Sequence, residues 1–270
     1  MSEKKRSALG TAVVTGASSG LGKVYADRLA SRGYDLLLVA RRGDRLRAIA
    51  TELEAKFAVS VETLVADLSD TAGIDAAVAK LAVDASITML VNNAGTSNVL
   101  PLAQADAATL AKMITLNVTS LTLLTQAVLP GFLARNAGTI INIGSVVSFA
   151  GYAWVPVYGG TKAYVMNFTQ ALKQQIAESA VRLQYVAPSG TESEIWDGMG
   201  VPKEALGELP PLMGTEECVD AALAGLDAGE FLTAPSVHDA ALVSAFEEAS
   251  MQLLVASQQS SAAERYGLKK

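Results

Sequence analysis

The chain has 270 residues, 50% of them hydrophobic and 18% charged, with one cysteine (Cys218), one histidine (His238) and a formal net charge of -6. This composition excludes a zinc site built on cysteines and histidines, a disulfide framework and a hydrolase that needs several histidines. An acidic balance makes nucleic acid and anionic membranes poor partners, and a mean hydropathy of +0.31 calls for a large core rather than disorder.

In chain order, Lys4, Lys5 and Arg6 ahead of the apolar stretch 8–14 imitate a signal peptide. No small-residue cleavage site follows, so a cytoplasmic location is expected. Residues 11–15 read as a first strand. A helix is predicted over 20–32, with Leu21, Val24, Tyr25 and Leu29 on one face and Gly33 as its stop. Residues 36–40 form the second strand. Asp44 is placed to cap a helix carrying Leu46, Ile49 and Leu53, and the β-branched run 59–65 reads as a buried third strand. A helix from about residue 70, a strand over 87–91, a long helix over 106–129 and a strand over 139–143 follow. The charge-free stretches 113–134 and 136–161 reach membrane-spanning length. Their polar residues and prolines are unfavourable against lipid, so they read as buried helix and strand, with no membrane partner.

A helix over 156–178 and a strand over 182–186 come next. The stretch 189–213, with Pro202, Pro210 and Pro211, cannot be one regular helix and reads as a mobile flap over the substrate site. A helix over 215–228, a short strand over 231–233 and a helix over 238–257 complete the chain. No linker marks a second domain. Alternating strands and helices predict one doubly wound α/β domain over 1–270, with a mostly parallel seven-stranded sheet flanked by helices.

The turn Thr15-Gly16-Ala17-Ser18-Ser19-Gly20-Leu21-Gly22 lies between the first strand and the first helix. There, backbone N–H groups and a positive helix end can hold a pyrophosphate. Its spacing is G-x3-G-x-G rather than G-x-G-x-x-G, and taken alone the segment reads equally well as a structural turn. About 20 residues further on, a NAD-binding fold normally presents an acid to the ribose. Here Arg41 and Arg42 stand instead, and guanidinium forks suit a 2′-phosphate. NADP(H) is therefore expected over NAD(H); the alternative is a solvated loop whose field Asp44 weakens. Asp67 and Leu68 close the third strand, and Asn92-Asn93-Ala94-Gly95 closes the fourth. Ligands of doubly wound sheets lie beyond these ends, so Asp67, Leu68, Asn93, Ala94 and Gly95 are expected near adenine and ribose. Locally, Asn-Asn-Ala-Gly is also an ordinary turn.

Tyr158 and Lys162 are four apart in a predicted helix, so their side chains share a face. A phenol with its ordinary pKa of about 10 is a poor acid–base group at neutral pH, and an adjacent cation favours its ionised form. Tyr266 and Lys270 repeat the spacing at the chain end without a comparable setting. Ser145 closes the fifth strand and Asn117 lies on the long helix, so that these two, Tyr158 and Lys162 can meet in one crevice. Asn117-Val118-Thr119 also spells a glycosylation acceptor, which a cytoplasmic chain would not use. Val147, Tyr152 and Trp154, facing Trp196 and Met199 of the flap, would make an apolar pocket for a hydrophobic ketone or 3-oxo substrate. Core or subunit contact is the alternative for each. His238 and Cys218 read as structural, and no metal site is expected. Sparse charge on the long helices and Leu253, Leu254 and Val255 near the C-terminus point to self-association.

Together these residues resemble the short-chain dehydrogenase/reductase family, in its compact single-domain, NADP-preferring branch, over roughly residues 11–193. The resemblance implies a Rossmann-type fold, a cofactor loop at Gly16, Ser18, Ser19, Gly20, Leu21 and Gly22, and a catalytic tetrad of Asn117, Ser145, Tyr158 and Lys162. It implies that Tyr158 is the general acid in carbonyl reduction and that Ser145 holds the substrate oxygen. Lys162 would lower the tyrosine pKa and bind the nicotinamide ribose, and Asn117 would fix a relay water. Pro188, Ser189, Gly190, Thr191 and Ser193 would meet the nicotinamide, with Ser189 where the family often has glycine and Ser193 where a threonine is common. Gly160 replaces a usual alanine, at about 1 kcal/mol of helix propensity. A homotetramer is implied, with a dimer as the second choice. A dinucleotide-binding regulator without turnover and a structural subunit are the rival functions; the complete tetrad favours the enzyme.

Overall fold

The computed structural model describes residues 7–99, 101–194 and 211–268. Trp196, Met199 and most of the expected flap lie outside these residues, as does Lys270. The short apolar runs become β1 (Thr11–Thr15), β2 (Asp35–Ala40), β3 (Val61–Val65), β4 (Ile87–Asn92), β5 (Thr139–Ile143), β6 (Arg182–Val186) and β7 (Leu232–Thr233). They form a seven-stranded parallel sheet in the order β3-β2-β1-β4-β5-β6-β7. The helices are α1 (Gly20–Ser31), α2 (Gly43–Phe57), α3 (Thr71–Val83), α4 (Ala107–Ile114), α5 (Leu121–Ala134), α6 (Pro156–Gln175), α7 (Thr215–Asp227) and α8 (Ala240–Ala256).

Successive strand residues point to opposite faces. Val14, Leu36 and Leu38 join a core with Leu29 of α1, Leu46 of α2 and Leu223 of α7. Val13, Leu37 and Val39 join a second core with Ile74 of α3, Leu124 of α5 and Leu172 of α6. Burial on both faces is why the central strands are continuously apolar instead of alternating. The expectation of a buried third strand is corrected: β3 is an edge strand, and Val65 is 56% exposed. Valine suits any pleated surface, so β-propensity does not separate an edge from a centre.

Helix starts also divide. Asp70 and Asp106 cap α3 and α4, their carboxylates accepting from the N–H of Gly73 at 2.7 Å and of Thr109 at 2.8 Å. Asp44 does not cap α2: the chain enters that helix through Arg42, and Asp44 pairs with Arg47 one turn on. The expected long helix is α4 and α5 joined by a π-helical turn, Thr115–Ser120. By length and composition the run 107–134 could cross a membrane; here Leu121, Leu124, Val128 and Phe132 of α5 are buried in the fold.

The chain divides into two compact units, one ending at Ser236 and one starting at Val237. In the first, the strand order reverses between β1 and β4, so the loops beyond their carboxyl ends open a crevice. The second holds α8, capped by Asp239 and without a buried residue.

Candidate active site

The glycine turn follows β1 directly. Gly16 and Gly20 have φ values of +66° and +52°, in the left-handed region that favours glycine. A Cβ on Gly22 would lie 2.4 Å from the Gly16 carbonyl oxygen. The turn is braced from β4: Thr15 Oγ1 accepts from the N–H of Asn93 and of Ala94, both at 2.9 Å, and Asn93 Nδ2 donates to the Thr15 carbonyl at 2.8 Å. Asn93 thus shapes the loop from behind. Ser19 stands at the α1 N-cap without a side-chain cap bond, which leaves the first-turn N–H groups open toward an anion.

Arg42 reaches back over this turn. Its Nε and Nη2 donate to Ser18 Oγ at 3.1 and 2.9 Å, and Nη2 donates to Ser19 Oγ at 2.7 Å. Arg41 is largely exposed, with Nη1 3.8 Å from Asp67 Oδ2. Asp67 Oδ1 accepts from the N–H and hydroxyl of Ser69, at 2.9 and 2.7 Å, and these bonds hold its carboxyl below the usual range against the opposing effect of burial. Leu68 turns its side chain into the core, which leaves only its backbone for a ligand.

Asn117, Ser145, Tyr158 and Lys162 come together beyond β4 and β5. The position of a Cβ on Gly95 would be 3.3 Å from Asn117 Oδ1 and 3.6 Å from Lys162 Nζ. Lys162 Nζ lies 5.6 Å from the Tyr158 ring centroid and donates to the Ile143 carbonyl at 2.8 Å. Burial pushes the Tyr158 phenol up to about 12, opposed by a hydrogen bond with Ser145. Burial also draws Lys162 down to about 8. In this geometry burial is the dominant influence on both groups, and the Lys162 ammonium is committed to the Ile143 carbonyl.

Asn117 occupies the π-helical turn, a distortion that recurs at functional sites. Its Oδ1 accepts from the N–H of Thr96 at 2.9 Å, while Nδ2 donates to the Thr96 carbonyl at 2.9 Å and to Thr161 Oγ1 at 3.0 Å. The amide ties the segment after β4 to α6. A buried chain below does likewise: Asn92 Nδ2 donates to Thr125 and Asn142, and Asn142 Nδ2 donates to Thr169, all at 2.9 Å.

Sequence reasoning missed Tyr185. Its hydroxyl accepts from the N–H of Ser145 at 3.3 Å and lies 2.8 Å from Ser148 Oγ. The ring fits because residue 144 is glycine; a Cβ there would fall 2.0 Å from it. A large polar aromatic next to the buried end of β6, in the strand that pairs with β5, was the available signal. Ser193 packs against the glycine turn, its Cβ 3.2 Å from the position of a Cβ on Gly20. Thr191 bridges to Met213, and Pro188 offers its carbonyl to Ser145 Oγ at 3.5 Å. Gly20, Lys23, Val24, Ser193, Glu194 and Thr215 line an open groove of about 410 Å³. Ser189 and Gly190 are half-buried beyond β6, and nothing lies within 4 Å of a Cβ placed on Gly160.

On the substrate side Val147 is half-buried, and Tyr152 and Trp154 are exposed. Cys218 is buried on α7, its thiol pushed up to about 12 by burial, and His238 is exposed in the second unit. Among the described residues no three His, Cys, Asp or Glu side chains gather as a metal site would need.

The family model described as short chain dehydrogenase matches residues 10–201. The fold is similar to a short-chain dehydrogenase from Sphingobium yanoikuyae in complex with NADPH, with a TM-score of 0.91 and 42% identity over 95% of this chain and 99% of that one. It is also similar to the bulky-bulky ketone specific alcohol dehydrogenase from Comamonas testosteroni, with a TM-score of 0.87 and 35% identity over 95% and 98% of the two chains. Curated relatives include an NADP-dependent 3-hydroxy acid dehydrogenase of Schizosaccharomyces pombe, 40% identical over 68% of this chain and 72% of the relative. A very-long-chain 3-oxoacyl-CoA reductase of Bos taurus is 36% identical over 66% of this chain, a match that spans only 58% of that longer protein. The chain belongs to the short-chain dehydrogenase family, a class of oxidoreductases.

Proposed function

We propose that the protein is an NADP(H)-dependent reductase that converts a hydrophobic ketone or 3-oxo compound into a secondary alcohol, with Tyr158 as the proton donor. The observation that carries this reading is the meeting of Ser145, Tyr158 and Lys162, with the Lys162 ammonium beside Gly95 in the crevice that begins with the glycine turn. The residues fit the cofactor: Gly16 and Gly22 let the turn pack tightly on Asn93, the α1 N-terminus carries no side-chain cap and can face a pyrophosphate, and Ser18, Ser19 and Arg42 offer donors for a further phosphate. An NADPH-bound neighbour and an NADP-dependent relative support the choice of cofactor.

When bound, the reduced nicotinamide supplies a hydride. The carbonyl oxygen then gains negative charge, and the hydroxyls of Ser145 and Tyr158 stabilise it more strongly than they stabilise the ground state. A phenol held at about 12 is protonated at neutral pH, as a proton donor must be. Lys162, on the same helix face as the phenol, would hold the nicotinamide ribose and favour the ionised form of Tyr158. Relatives named for 3-hydroxy acids, 3-oxoacyl-CoA and bulky ketones support an oxo-compound substrate with apolar bulk. The reading includes a single cofactor-and-substrate domain, a cytoplasmic location and a homotetramer, supported by exposed Leu253, Leu254 and Val255 on α8.

Replacing Tyr158 with Phe should cut ketone reduction at least about a hundredfold, read as nicotinamide absorbance across a ketone panel, with NADPH affinity within about twofold of the parent. A variant that reduces a ketone at the parent rate overturns the mechanism. NADPH binding without turnover of any substrate by the parent would favour the dinucleotide-binding regulator.

A further inference from the structure

The arginine cluster over the glycine turn already holds an anion, and it belongs to the chain itself. Glu194 Oε2 accepts from Arg42 Nη1 at 2.6 Å and from Arg45 Nη1 at 2.9 Å, while Oε1 accepts from Arg45 Nη1 at 2.6 Å. The remaining nitrogens of Arg42 are bound by Ser18 and Ser19. Two guanidinium groups, one of them anchored by serines, therefore converge on one carboxylate. Both arginines hold Glu194 below the usual carboxylate range. Ser193, against Gly20, brings its neighbour over the turn. A carboxylate presents two oxygens and negative charge to a guanidinium fork much as a phosphate does. Arg41, next in sequence to Arg42, pairs loosely with Asp67 at 3.8 Å, and Asp44 pairs with Arg47.

We propose that Glu194 is a specificity-determining residue whose carboxylate occupies the seat of the cofactor 2′-phosphate, between Arg42 and Arg45, and competes with that phosphate for both. This rests on the NADP(H) reading above and extends it: Arg45 becomes a second phosphate ligand, and Glu194 a built-in competitor. A phosphate-free dinucleotide leaves the carboxylate in place, whereas NADP(H) must displace it. The three side chains are 41–50% exposed, so the displaced ion pairs are individually weak and the competition is modest.

The test is calorimetric titration of 2′,5′-ADP and 5′-AMP into the parent and into Glu194→Gln, Arg45→Ala and Arg42→Ala. Glu194→Gln should bind 2′,5′-ADP about fivefold tighter and 5′-AMP within about twofold of the parent. Arg45→Ala should weaken 2′,5′-ADP selectively. If Glu194→Gln leaves the ratio of the two affinities unchanged or lowers it, the competitor role is overturned; an unselective Arg45→Ala removes Arg45 from the seat. Arg42→Ala separates the two levels. Selective loss of 2′,5′-ADP there, beside an unresponsive Glu194→Gln, sinks this inference alone, whereas equal loss of both ligands sinks the NADP(H) assignment itself.

Discussion

Lys162 and Tyr158 occupy one face of α6, and spacing alone makes the lysine a cation that acidifies the phenol. In the folded chain burial raises the phenol to about 12 and draws the ammonium down to about 8. Tyr185 has the same burden: burial pushes it up to about 12 from the ordinary 10.0, with Ser148 and Ser145 opposing. Between those values the folded state keeps a proton that the unfolded chain has lost. The stability linked to Tyr185 is complete below pH 10 and is lost as pH rises toward 12. Lys162 acts oppositely between 8 and 10.5, where the unfolded chain binds the extra proton and the lysine's contribution grows with pH. Urea midpoints across the alkaline range should therefore fall less steeply above pH 10 in Tyr185→Phe than in the parent. Parallel curves for the two proteins would contradict the assignment.

Among the elements, local chemistry explains where helices start only when side-chain geometry cooperates. Asp70 and Asp44 both precede apolar helical patterns and only Asp44 reads as a cap in the sequence, yet of the two it is Asp70 that accepts a backbone N–H, while Asp44 lies inside the first turn of α2. Asp70→Ala should cost about 1 kcal/mol in urea denaturation, and Asp44→Ala about half of that or less, because an exposed ion pair and a dipole contact are all it removes. Equal losses would mean that both carboxylates act through the helix dipole. The π-helical turn is the second departure. Periodicity over 106–129 describes one helix, and the extra residue in the turn at Asn117 is accommodated by bonds to Thr96 and Thr161, which periodicity does not contain.

For the whole molecule, the apolar residues still facing solvent matter most. Leu253 and Val255 of α8 are 72% and 65% exposed, and Leu123 and Leu133 of α5 are also uncovered. The proposed assembly would cover apolar surface of this kind. Size-exclusion chromatography with light scattering at micromolar concentration should give a mass well above the 28.0 kDa of one chain, with a tetramer expected. Leu253→Glu combined with Val255→Glu should shift the population to smaller species. A parent that remains monomeric throughout rejects the assembly.

The sequence by itself determined what short-range order can carry. Apolar runs define the strands, their alternation with helices defines a parallel sheet, and glycine spacing, the Arg41–Arg42 pair and the Tyr158–Lys162 interval mark candidate sites. Tertiary structure decided which of these meet and on what terms. Arg42 and Glu194 are 152 positions apart, Asn117 and Thr161 are 44, and Ser145 and Tyr185 are 40. Such distances close only through strand order and helix packing, which no local period records. The same holds for the edge position of β3 and for the pKa of a buried phenol, because exposure and dielectric surroundings belong to the assembled fold and not to any segment of it.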